Sequence, residues 1–254
     1  MLYLICLLQL YQDNGSTKET GEIEMKVLII IPAYNEAENI VRVVDDLIKN
    51  YSQYDYVVIN DGSKDDTAKI CREHHYNLID LPINLGLAGA FQTGVKYGYQ
   101  NGYDAVLQYD GDGQHQAVYI EKMIAAMQEQ NADIVIGSRF WEKKKPGGLR
   151  MLGARILKYT IKFTAGKAIA DPTSGMRLIN KSVLKDFATQ MNHGPEPDTV
   201  AYLMRNGAKV VEVQVEMKER IAGESYLNLK NSILYMSRML VSIILFQGFR
   251  KRGK

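Results

Sequence analysis

The residues best suited to chemistry are Asp110-Gly111-Asp112-Gly113-Gln114-His115. Asp104-Ala105-Val106-Leu107 just before them reads as a short buried strand. At the end of a strand, carboxylates one residue apart can reach a single hard cation while glycines let the backbone bend around it. All-oxygen ligation suits Mg²⁺ or Mn²⁺, which keep positions open for water and substrate phosphates. A metal-diphosphate site is the sharp reading, and an ordinary Gly/Asp turn is the plain one. A calcium loop of the EF-hand type fails. Glu121 stands at its twelfth position, but the sixth needs glycine and is His115, and the fifth is Gln114.

Regular elements must carry that turn to a usable place. Continuous apolar runs predict strands at Lys26 to Ile31, Tyr56 to Ile59, Asn77 to Leu81 and Ile134 to Ile136. Between them, helical periodicity covers Ala37 to Lys49, the stretch to about His74, the stretch to Gln100, and Ala117 to Gln130. Such alternation implies an α/β fold with helices on both faces of a mainly parallel sheet. Ligands then bind beyond the carboxyl ends of the strands. Three polar turns fall there: Tyr34-Asn35-Glu36, Asp61-Gly62-Ser63 and Asp110-Gly111-Asp112. No Gly-x-Gly-x-x-Gly follows the first strand and no Gly-x4-Gly-Lys-Ser/Thr occurs, which disfavours dinucleotide-binding and P-loop folds.

The chain has 254 residues, 46% hydrophobic and 24% charged, as expected for a globular protein. Its net charge of +2 names no partner, and nucleic acid is not expected. The distribution is uneven. Arg139 to Lys167 holds nine basic residues against the single acid Glu142, and Arg250 to Lys254 adds four. Such clusters suit phosphates or an anionic membrane, although Lys143-Lys144-Lys145 fits a solvated face equally well. Cys6 and Cys71 offer neither a disulfide framework nor metal spacing, consistent with a reducing compartment. Residues 1–24, an apolar start too short to span a bilayer and then a polar stretch, read as a leader outside the fold. Residues 25–225 form the expected catalytic domain, and 226–254 an amphipathic basic helix. That tail has Ile233, Met236, Leu240 and Ile244 along one stripe. It suits a helix lying on a membrane surface or a core or oligomer-interface helix.

Seven motifs between residues 27 and 225 resemble glycosyltransferase family 2, the inverting enzymes of the nucleotide-diphospho-sugar (GT-A) fold. They are Pro32 to Glu36, Asn60 to Ser63, Asn84 to Gly86, Asp110 to His115, Gly137 to Phe140, Ser174 to Arg177, and Arg220-x-x-Gly223-Glu224-Ser225. Within the family, the chain is similar to polyprenyl-phosphate glycosyltransferases related to dolichyl-phosphate mannose synthase. The resemblance implies a nucleotide site of Pro32, Tyr34, Glu36, Asp61 and Gly86, although the family often has Asp where this chain has Asn60. It implies Asp110, Asp112 and Gln114 as ligands of Mg²⁺ or Mn²⁺, with His115 beside them or capping the next helix. It also implies Arg139, Arg177 and Arg220 as contacts of acceptor or leaving phosphates, a role that a permanently charged, bidentate guanidinium suits. With Asp112 they make up the catalytic set.

The implied reaction moves a sugar from a nucleotide-diphosphate sugar, UDP-sugar ahead of GDP-sugar, to a polyprenyl phosphate on the cytoplasmic face of the membrane. A membrane-embedded partner or homo-oligomer is a further possibility. Transfer to a saccharide or lipid-linked glycan hydroxyl, or nucleotide-sugar binding without catalysis, stand as alternatives. A hydroxyl acceptor needs a general base, which many relatives supply as an adjacent Glu-Asp pair near a helix start. Here Pro197 splits Glu196 from Asp198, and both acids also suit an ordinary helix start.

Overall fold

A computed structural model of the chain describes residues 25–142, 149–189, 194–218 and 229–246. The leader at 1–24, Lys143-Lys144-Lys145, Arg220 with Gly223 to Ser225, and the basic end at 250–254 lie outside the described residues. A seven-stranded sheet runs in the order β3-β2-β1-β4-β6-β5-β7. Its strands are β1 (Val27–Ala33), β2 (Asp55–Asn60), β3 (Leu78–Asp80), β4 (Ala105–Gln108), β5 (Ile134–Ser138), β6 (Arg177–Asn180) and β7 (Val210–Gln214). β1 is almost wholly apolar because it lies mid-sheet with both faces covered. Its side chains alternate as the pleat requires. Val27, Ile29 and Ile31 enter one core cluster, and Leu28 and Ile30 enter the other.

Helix α1 (Ile40–Asn50) begins three residues later than its periodicity suggested. Residues Asn35 to Asn39 are instead tied down by hydrogen bonds to the next loop and to Glu36. α2 (Thr67–Glu73) and α3 (Gly86–Gln100) follow. The helix expected from Ala117 opens as a 3-10 turn (Ala117–Tyr119) before α4 (Ile120–Glu129). α1 and α4 cover one face of the sheet. The other face carries α3, α5 (Leu149–Ala165), α6 (Lys181–Thr189), α7 (Pro197–Arg205) and α8 (Leu229–Val241).

Two features place the site. From β1 the chain steps outward through β2 and β3, then returns to lay β4 on the other side of β1. The strand order therefore reverses between β1 and β4, where a crevice opens at the carboxyl ends. Next, β6 enters antiparallel to both β4 and β5. This pairing sets Arg177 opposite Gln108, level with the last residue of β4.

The tail helix α8 continues as a π turn (Ser242–Phe246) and packs against the domain, burying Met239 and Ile243. Ile244 of the expected stripe is exposed instead, as are Leu234, Val241 and Leu245. Met236 and Leu240 of that stripe pack against the core, and the helix is apolar on both sides.

Candidate active site

The Asp110–Gln114 turn leaves β4 and lies against the end of β1, with the Gly111 amide donating to the Pro32 carbonyl at 3.3 Å. Asp110 is held from several directions. The Gln108 side-chain amide donates to its Oδ1 at 3.0 Å. Its own amide donates to His115 Nδ1 at 2.9 Å, which leaves the proton of a neutral imidazole on Nε2, 3.6 Å from Asp110 Oδ2. His115 is buried beside the carboxylate, so of its two expected places it takes the one next to Asp110. Gly175 closes the far side: a Cβ there would stand 2.6 Å from Asp110 Oδ2. Asp112 is 6% exposed, and its Oδ1 accepts from the Gln114 amide at 3.0 Å. Gln114 lies alongside residue 218, whose amide donates to the Gln114 carbonyl at 2.9 Å.

Among the described residues no three His, Cys, Asp or Glu side chains gather as a metal site. The available donors are two carboxylates and one amide on a rim turn. This hard, incomplete oxygen set fits a divalent cation whose remaining ligands are water and phosphate.

The residues that the resemblance implies for the nucleotide line the neighbouring strand ends. Tyr34 is exposed, and Asn35 takes a left-handed φ of 55° while its side chain accepts from the amide of residue 64 at 2.8 Å. Glu36 accepts from the Asn39 side chain at 2.7 Å. Asp61 is buried and its Oδ1 accepts from the Leu85 amide at 2.7 Å. That bond draws the Gly86 turn, with φ +75°, to the end of β2. Gly62, at φ +61°, lies so close to the backbone of Ile83 and Asn84 that a Cβ would come within 2.6 Å. Asn60, the departure from the family pattern, donates to Asp80 at 2.6 Å, and its buried Oδ1 has no hydrogen-bond partner among the described residues. A cleft of about 560 Å³ between Asn35, Asn39 and Asp65 touches this rim but none of the Asp110–Gln114 turn.

The arginines have different surroundings. Arg139 follows β5 and grips the buried Asp171 in a two-bond fork, Nε at 2.7 Å and Nη2 at 2.8 Å. Asp171 is fixed in turn, its amide donating to Glu212 at 2.9 Å. Burial pulls the Arg139 pKa down, but the hydrogen bonds and charge of Asp171 outweigh this and raise it. Arg177 is 2% exposed. Its guanidinium donates to three backbone carbonyls: Ser174 at 2.9 Å, Pro172 at 2.7 Å, and Pro195. Burial lowers its pKa, against opposing pulls from Tyr235, Glu196, Asp171 and Asp110. The guanidinium implied as a phosphate contact is thus a clamp joining two loops beneath the site. Arg220 is outside the described residues.

Pro197 opens α7, but Glu196 makes no side-chain cap bond to it. Its carboxylate accepts from the Tyr235 hydroxyl on α8, and Asp198 accepts from Ser242 at 2.5 Å. Burial, then the charge of Glu196, raises the Tyr235 pKa. The split acid pair holds the C-terminal helix. Sequence reasoning missed Gln108, Asp171, Glu212 and Tyr235 as supports. Only Gln108 carried a local signal, a polar residue at the end of a buried run.

Comparison with known proteins gives a consistent picture. The glycosyl transferase family 2 model matches residues 28–187. An undecaprenyl-phosphate mannosyltransferase of Micrococcus luteus is 29% identical over 218 residues, 79% of this chain and 87% of its own. A UDP-N-acetylglucosamine–dolichyl-phosphate N-acetylglucosaminyltransferase of Methanococcus voltae is 31% identical over 185 residues, 65% of this chain and 73% of its own. Among solved structures, glucosyl-3-phosphoglycerate synthase from Mycobacterium tuberculosis, in complex with Mn²⁺, UDP and phosphoglyceric acid, superposes with a TM-score of 0.67. That match covers 92% of this chain and 83% of the other at 14% identity, a likeness of fold.

Proposed function

The chain belongs to glycosyl transferase family 2, and from that membership we propose that it transfers a sugar from a nucleotide-diphosphate sugar to the phosphate of a polyprenyl phosphate. A UDP-sugar is the leading donor and a GDP-sugar the runner-up. The observation that carries the proposal is the Asp110-Gly111-Asp112 turn seated on Pro32 where the strand order reverses, beside the rim of Tyr34, Glu36, Asp61 and Gly86. The polyprenyl-phosphate acceptors in the names of the two relatives point the same way.

In this reading an acceptor phosphate oxygen attacks sugar C1 from the side opposite the diphosphate. The bond from C1 to the leaving phosphate oxygen breaks, and the anomeric centre inverts. Asp110, Asp112 and Gln114 would hold Mg²⁺ or Mn²⁺, which when bound supplies positive charge to the departing diphosphate. Gln108 and His115 keep Asp110 in place. Arg139, oriented by Asp171, offers the remainder of its guanidinium to phosphate, and such preoriented charge is commonly the largest catalytic contribution. An anionic phosphate acceptor needs no general base. This accords with Glu196 and Asp198 being engaged by Tyr235 and Ser242. The reaction would take place at the inner surface of the membrane. Among the described residues no helix is long and apolar enough to cross one.

The test is incubation with Mg²⁺, undecaprenyl phosphate and a panel of radiolabelled UDP- and GDP-sugars. One donor should label the lipid phase in a chelator-sensitive way. No labelled lipid with any donor, or labelling of an added oligosaccharide acceptor with none of the polyprenyl phosphate, would overturn the proposal.

A further inference from the structure

Two neighbouring helices turn an unusual face to solvent. α5 buries Ala154, Leu157 and Ile161, yet Leu152, Ile156, Tyr159 and Phe163 form a row along its outer side. Tyr159 is 64% exposed and Phe163 93%. α8 and its π turn behave alike, burying Met239 and Ile243 while leaving Leu234 71% exposed beside Val241, Ile244 and Leu245. Gly153 abuts Met236, whose Cγ would stand 3.2 Å from a Cβ built there, so the helices lie side by side. Both sink their inner residues into one core cluster, and their outer rows therefore adjoin. Single exposed apolar residues are ordinary, whereas two adjoining rows mark an interaction surface.

Charge identifies what the surface meets. From residue 149 to 170, and again from 229 to 246, the sequence has no carboxylate. The charged side chains exposed among these rows include Arg155, Lys162 and Arg238, all cationic. Apolar rows on two helices whose own charged side chains are all cationic complement a layer of anionic headgroups with acyl chains beneath. We propose that α5 and α8 together form the face on which this protein lies against an anionic bilayer, with Tyr159 and Phe163 entering the interface. Tyr235 and Ser242 join the same face to the loop that holds Arg177. A bilayer gripped there would lie beside the site, where a lipid phosphate could enter without its chain leaving the membrane. That purpose rests on the proposed acceptor; the binding itself does not.

The experiment is co-sedimentation of the full chain with vesicles of phosphatidylcholine alone or with about 30% phosphatidylglycerol. Wild type should bind the anionic vesicles and lose binding in high salt. The double variant Tyr159→Glu/Phe163→Glu should bind them about tenfold or more weakly, with an unchanged melting temperature, since both side chains are in solvent. Arg155→Gln/Lys162→Gln should also weaken binding. Equal binding by wild type and the Glu variant, or no binding by wild type, overturns the proposal. So does a wild-type dimer that ignores vesicles and is split by the Glu variant, which would assign the face to a second copy. Vesicle binding with no sugar reaching any polyprenyl phosphate would leave the surface standing and remove the proposed reaction. Transfer to a short-chain, water-soluble acceptor with no vesicle binding would do the reverse.

Discussion

Replacing Arg177 separates two roles that a guanidinium could play here. Its donors reach the carbonyls of Pro172, Ser174 and Pro195, all in the interior. In Arg177→Met these three acceptors lose their partner, and each orphaned buried group costs roughly 1–3 kcal/mol. Removing a desolvated charge returns part of that cost, although Glu196 and Asp171 also lose a cation nearby. The expected loss is about 3–5 kcal/mol, a large share of the roughly 5–15 kcal/mol that holds a typical domain folded. For a chain of this size that lowers the melting temperature by about 10 °C. Arg177→Lys keeps the charge but cannot span three carbonyls, so it should lose nearly as much stability. Thermal and urea unfolding would measure both variants, alongside donor affinity and turnover on the residual folded protein. If both variants melted within about 2 °C of wild type while turnover fell about a hundredfold, the clamp would be refuted. Arg177 would then be a phosphate ligand, as the family resemblance implied.

Other outcomes follow from the same geometry. Asp112→Asn should lower turnover about 10²–10³-fold and abolish Mn²⁺-dependent tightening of nucleotide binding in calorimetry; unchanged metal dependence would remove Asp112 from the metal site. Gly175→Ala places a methyl 2.6 Å from Asp110 Oδ2, so the carboxylate must shift. Turnover should fall at least about tenfold while stability changes by less than about 1 kcal/mol, and a fully active variant would show that Asp110 tolerates displacement. Burial pushes the Cys71 thiol up to about 11 from an ordinary 9.0. Its thiolate population near pH 8 is therefore about a hundredfold below that of an exposed thiol, and mass spectrometry should find Cys71 unmodified by iodoacetamide in the folded protein. The raised value also sets the sign of its linkage to stability: the contribution is intact below about pH 9 and is lost as pH rises through about 11. Rapid alkylation at pH 8 would contradict its burial.

Much of the fold was legible because its signals are local. β1 announces itself by unbroken apolarity, and the Asp110–Gln114 turn by glycines placed where the chain must bend. The supports of the site were not legible, because their meaning depends on partners far along the chain. Arg177 looks like a phosphate ligand by type. Only the antiparallel entry of β6 and the approach of Pro195 reveal three carbonyls aimed at it. Glu196 and Asp198 similarly read as helix-start acids or a base until α8 brings Tyr235 and Ser242 to them. The tail was legible in part. Met236 and Leu240 of its stripe pack against the core beside Met239 and Ile243, while Ile244 faces outward, because a helix apolar on both sides has no single stripe to read.

The bonds from Tyr235 and Ser242 to the acids that open α7 also bear on how the molecule matures. During synthesis all seven strands emerge before these two donors do. A growing chain could thus assemble its sheet while the segment under Arg177 still waited for its last partners. Competence would arrive only when α8 folds back. Fusions or truncations that delay that helix should produce a soluble, sheet-complete but sluggish protein rather than an unfolded one.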